Sequence, residues 1–147
     1  MEERVRRNTS DKKNSKIDQK TIGRISQLAN AGTPAISQRI EELDPEWDIE
    51  RVLEGNMPIV ALTGLALAIT FSPWWLIFPA IVLLFFLQHA IQGWCPPLPV
   101  FRSLGYRTKA EIHREKYALK LLRGDFESVR GPAGNTDTQR VWEAVSR

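Results

Sequence analysis

One cysteine, Cys95, stands in a chain of 147 residues, and histidine occurs twice. That scarcity excludes an intrachain disulfide framework and any metal site built on several thiolates. Glycine-rich phosphate loops, His/Cys metal clusters and nucleophile elbows are missing as well. Carboxylates gather only in the polar flanks, where solvation is expected. The sequence therefore predicts no catalytic residue, no cofactor and no metal, in a protein that is not an enzyme. A dominant charge is also lacking: 20 Lys and Arg face 17 Asp and Glu. Acids mixed among the bases argue against a nucleic-acid surface. The balance of +3 suits anionic lipid headgroups, worth about 1 kcal/mol per well-placed base. The chain opens on polar sequence and its apolar run is internal, so no cleavable signal peptide is expected.

The most informative absence is local. Residues 55–101 contain no Lys, Arg, Asp or Glu, although these make up 25% of the chain. Within that stretch residues 57–91 are apolar, interrupted at Ser72-Pro73. A crossing of ~30 Å of hydrocarbon takes about 20 apolar residues, so the run exceeds one crossing and suffices for two short ones. Pro73 lacks an N–H and disfavours a helical residue before it, yet it fits the first turn of a second helix. The predicted fold is an all-α membrane protein: a transmembrane helical hairpin over residues 57–93, with helices at about 57–71 and 74–93. The first is short, ~22 Å at 1.5 Å per residue, and either recruits the preceding turn or thins the bilayer. Its small residues Ala61, Gly64 and Ala68 either pack against the second helix or make a homodimer contact. Trp74 and Trp75 would mark one interface, with Trp47 and Trp94 at the other. Arg39, Arg51, Arg102, Arg107 and Lys109 flank the run while its turn carries no base. Both termini are thus expected in the cytoplasm. The competing soluble reading, a buried central hairpin, would need the polar flanks to cover every side.

The flanks divide by composition. Residues 1–17 are polar and basic and are expected to be disordered. Residues 18–56 carry short amphipathic helices, with start signals at Thr33-Pro34 and Asp44-Pro45 and a stop at Gly55-Asn56. In the exit segment, residues 94–107, Pro96, Pro97 and Pro99 predict extended chain. Thr108-Lys-Ala-Glu111 is a capping box opening an amphipathic helix over 108–126, basic along one side and closed by Gly124. The tail, residues 127–147, is expected to be flexible.

Two residues invite chemistry. Cys95 lies where the second helix leaves the bilayer, and is either a small hydrophobe or an exchanging thiol, which requires thiolate. His89 lies in the neutral stretch between Gln88 and Gln92. An intramembrane ionisable group is a functional candidate, but a hydrogen-bonded imidazole joining two helices is the commoner arrangement. Six residues apart, His89 and Cys95 make a poor metal pair.

Gly93-Trp-Cys-Pro96, followed by Leu104-Gly-Tyr-Arg-Thr108, resembles the YgaP-like transmembrane domain family of bacterial membrane proteins. The likeness covers residues 44 to 126, and its most specific part is the Cys-Pro exit. It implies an inner-membrane anchor, dimeric through its helices. Some relatives carry a rhodanese domain that handles sulfane sulfur, and none is present here. The functional expectation is a non-enzymatic anchor that self-associates or docks an unknown protein partner at the cytoplasmic face. The alternative is thiol or persulfide handling through Cys95. The bilayer is the expected environment, with no nucleic acid.

Overall fold

A computed structural model describes residues 4–127 and 138–146, and every regular element among them is helical. The elements are α1 (Arg4–Arg7), α2 (Asp11–Ala29), α3 (Thr33–Leu43), α4 (Ile49–Thr70), a 3-10 turn (Pro73–Leu76), α5 (Ile77–Gln92), α6 (Leu98–Leu104), α7 (Lys109–Arg123) and α8 (Thr138–Ser146). Two compact units result: Met1–Asp18 with Trp47–Glu111, and Gln19–Glu46 with Ile112–Arg147.

In the first unit, α4 begins at Asp48, whose carboxylate accepts the Arg51 N–H at 2.7 Å. The Asp44-Pro45 start and the Gly55-Asn56 stop both fail. Gly55 and Asn56 keep helical backbone, and Asn56 donates to the Val52 carbonyl at 2.8 Å. Without a left-handed residue there is no terminating cap, so the surface helix and the apolar helix are one. Its first turns bury Ile49 and Leu53 against Val5, Cys95 and Leu98, with Met57, Trp94 and Phe101 packed around them. α4 stops where extended Ser72 precedes Pro73. The turn then runs into α5, closed by Gly93 at φ 76°.

Ile49–Thr70 and Pro73–Gln92 are both long and apolar enough to cross a membrane. Only 22% and 11% of their most apolar windows are buried. The two pack on each other. Gly64 lies close against α5: a Cβ there would lie 2.6 Å from Pro79 Cδ and 3.0 Å from Phe78 Cδ1.

Three further expectations change. Residues 4–17 are not a disordered arm, because Val5 joins the core and Ile17 and Asn14 are buried. The prolines after Cys95 do not forbid a helix. They fall at the start of α6, where their missing N–H groups have no helical partner to lose. In the tail Thr138–Ser146 is helical rather than loose, while residues 128–137 and 147 lie outside the described residues.

The second unit is built on α3 and α7. Ile36, Ile40 and Leu43 meet Ile112 and Leu119, with Ile25 and Leu28 beside them. Gly32 at φ 88° occupies the N-cap of α3, and Thr33 lies inside the helix.

Two glycine substitutions in α4 have opposite expected signs. Gly64→Val drives a side chain into Pro79 and lowers stability by roughly 1–3 kcal/mol. Gly55→Ala meets only Trp47, at 3.7 Å, and raises it by roughly 0.5–1 kcal/mol through helix propensity. Unfolding of detergent-purified protein measures both.

Candidate functional site

The most constructed polar feature of the first unit is the carboxylate of Glu111, a residue 3% exposed. Glu111 occupies the first turn of α7. Its backbone N–H donates to Thr108 Oγ1 at 3.2 Å, and its Oε2 accepts the Thr108 N–H at 2.9 Å. The capping box thus spends one carboxylate oxygen locally. Arg102, on α6, supplies the rest in a fork: Nη1 to Oε2 at 2.7 Å and Nη2 to Oε1 at 2.9 Å. Arg6 of α1 donates to Oε1 as well and spans to Asp18 at 2.8 and 2.9 Å. Arg102 also donates to Asn14 Oδ1 at 2.8 Å and to the Tyr106 carbonyl at 3.0 Å. Asn14 returns its Nδ2 to the carbonyls of Arg6 and Thr9.

Burial alone would raise the Glu111 carboxyl. The Arg102 hydrogen bonds, then the Thr108 N–H and Arg6, hold it below the ordinary carboxylate range. Both oxygens are committed to donors that fix the chain, so this is a structural node with no acceptor left for a substrate. The flanking carboxylates are not all solvated, as sequence composition had implied. Nor does Arg102 face headgroups, since it is 2% exposed.

In the second unit Glu115 plays a similar part. Fully buried, it accepts from Arg39 at 2.9 Å and Arg24 at 3.3 Å. Arg39 reaches Glu42 and Glu46 as well, and Lys116 pairs with Asp44.

The sequence-derived candidates lie elsewhere. Cys95 is 1% exposed within the Val5–Leu98 core. Burial pushes its thiol up, with a Leu98 backbone hydrogen bond pulling the other way, so little thiolate forms at neutral pH. His89 is buried at the end of α5, but its Nδ1 makes no hydrogen bond among the described residues. Gln88 instead donates to Gln92, at 3.4 Å.

Ala61 and Gly64 are buried and Ala68 is half-buried. Trp74 and Trp75 are exposed at the turn. Trp94 packs on the core, and Trp47 is half-exposed under the Arg51 guanidinium, 4.7 Å from its ring centroid. Among the described residues no group of His, Cys, Asp and Glu could hold a metal ion. No family model, curated protein or solved structure matches the chain.

Arg6, Asn14, Arg102 and Glu115 escape sequence reading because their partners are distant in the chain. The one local signal is the Thr108-x-x-Glu111 spacing.

A carboxyl held below its usual value stabilises the fold fully above the unfolded value of about 4.3. That contribution is lost as pH falls through the lower folded value. Stability should therefore drop on acidification below about pH 4.3, and Glu111→Gln should flatten that slope. Glu111→Ala leaves the buried Arg102 guanidinium without its carboxylate and should cost roughly 3–5 kcal/mol. Denaturant unfolding across acid pH measures both.

Proposed function

We propose that this chain is an integral membrane anchor. α4 and α5 cross the bilayer as a helical hairpin, both termini face the cytoplasm, and the flanks serve protein interaction. The observation that carries the reading is the exposure of apolar side chains around both helices. Ile69 is 86% exposed, Trp74 79% and Leu84 64%. Water would penalise that surface heavily, and lipid would not. The Trp pair at the turn suits the far interface, where indole rings sit at headgroup level. The resemblance of residues 44–126, most specific at Cys95-Pro96, to the YgaP-like transmembrane domain family supports an inner-membrane setting.

Gly64 is occupied by the α4–α5 contact, and Ala61 is buried beside it on the same helix. That favours a partner at the cytoplasmic flanks over a homodimer through those residues. Tyr117, Leu121 and Leu122 of α7 are exposed there. The thiol or persulfide reading draws no support from a thiol that is buried and raised.

A lysine in the middle of a crossing helix costs about 2.5–3.5 kcal/mol of insertion. Leu84→Lys is expected to shift protein from the carbonate-resistant membrane fraction to the soluble or degraded fraction. Leu121→Lys should leave it in place. Equal behaviour of the two variants, or wild-type protein released by carbonate without detergent, defeats the proposal.

A further inference from the structure

α1 sorts its four side chains by direction. Val5 enters the Cys95 core, and Arg6 turns to Asp18 and Glu111. Arg4 and Arg7, three positions apart, are exposed. Among the described residues neither takes part in an ion pair, and Arg4 spends one N–H on the Ala90 carbonyl.

That bond locates α1. Ala90 belongs to the last turn of α5, and Asn8 donates to the Gln92 carbonyl at 2.9 Å. The helix backbone rests on Gly93, where a Cβ would lie 2.5 Å from Arg4 Cβ and 2.9 Å from the Arg4 carbonyl carbon. Gly93 is therefore needed twice, for its φ of 76° and for this contact. Pro73–Gln92 has 20 residues, about 30 Å of helix at 1.5 Å per residue, which matches the hydrocarbon thickness. Its end at Gly93 falls at headgroup depth, and α1 is bound to that end.

Two guanidinium groups that pair with no carboxylate among the described residues meet the phosphate layer at that depth. Each presents a planar fork that fits phosphate oxygens in pairs. The Ala90 bond turns one edge of the Arg4 fork to protein and leaves other donors for a ligand. We infer that Arg4 and Arg7 form a headgroup site for an anionic phospholipid, one whose phosphodiester carries no compensating ammonium. The site rests on the two-crossing reading and names a lipid contact for it. Through α1 the lipid would secure Val5 in the core and Arg6 on Glu111.

The test uses the full chain in bilayers containing spin-labelled phosphatidylglycerol or phosphatidylcholine, with motionally restricted lipid read by electron paramagnetic resonance. Wild-type protein is expected to restrict phosphatidylglycerol preferentially, and salt should weaken the preference. Arg7→Gln removes no side-chain ion pair or hydrogen bond among the described residues and should cut the preference up to about fivefold. The Arg4→Gln/Arg7→Gln double variant should bring it to parity, and lysine at both positions should restore much of it. Maleimide protection of Cys95 reports whether α1 stays docked. If the double variant exposes Cys95, Arg7→Gln alone decides. A restricted component at parity in wild-type protein, or an undiminished preference in Arg7→Gln, overturns the site and leaves the hairpin standing. Absence of restricted lipid of either kind overturns the hairpin and the site together.

Discussion

A backbone surrounded by hydrocarbon has no water to bond, so each N–H and C=O must be satisfied within its own helix. Residues 55–101 contain no charge that would anchor them in water, and nearly all of the chain from Ile49 to Gln92 is helix. Its one break, at Phe71 and Ser72, coincides with the aromatic turn. α5 ends at Gly93 in a left-handed cap whose N–H returns to the His89 carbonyl at 2.7 Å, so the last carbonyls do not go unmet. Pro58 interrupts α4 without ending it, as prolines do in helices supported by a neighbour.

Ionic chemistry is confined to the segments on either side of residues 55–101. In the first unit, Arg6, Arg102 and Thr108 converge on Glu111, and Asn14 accepts a further hydrogen bond from Arg102. A buried ion pair does not stabilise a fold merely by existing, because desolvation offsets much of the attraction. Here almost every lone pair and donor is matched, which is the condition under which such a network holds one geometry. Arg102 Nε is the exception, buried without a hydrogen bond. The network joins α1, α2, α6 and the start of α7 within that unit, and Val5 and Leu98 add the apolar side of the same contact. In the second unit Arg24 and Arg39 converge on Glu115 by the same logic.

Legibility followed the range of the interactions. The two apolar helices are readable because hydropathy and length are local properties, and Ser72-Pro73 is a local break. The Thr108–Glu111 cap is readable because three residues separate its partners. Arg102 is not, since its partners Asn14 and Glu111 lie on other elements and a lone arginine after a neutral stretch looks like a topology signal. Gly55-Asn56 misleads because a glycine ends a helix only when it turns left-handed, and burial of Leu53 holds this one helical. The prolines at 96, 97 and 99 mislead for a related reason: proline is excluded from helix interiors, not from first turns. Residues 4–17 are too polar to suggest order, yet one valine, one isoleucine and a satisfied asparagine suffice to pack them.

A chain that crosses a membrane twice leaves both flanks on one side of it. Single cysteines placed at Ser15, Ser72 and Ser103, all three outside the buried core, in a Cys95→Ala background, test this with an impermeant maleimide. Ser72→Cys is expected to label in intact cells, and Ser15→Cys and Ser103→Cys only in inverted vesicles. Labelling of Ser72→Cys from the same side as either flank, or of the two flanks from opposite sides, would rule out the hairpin.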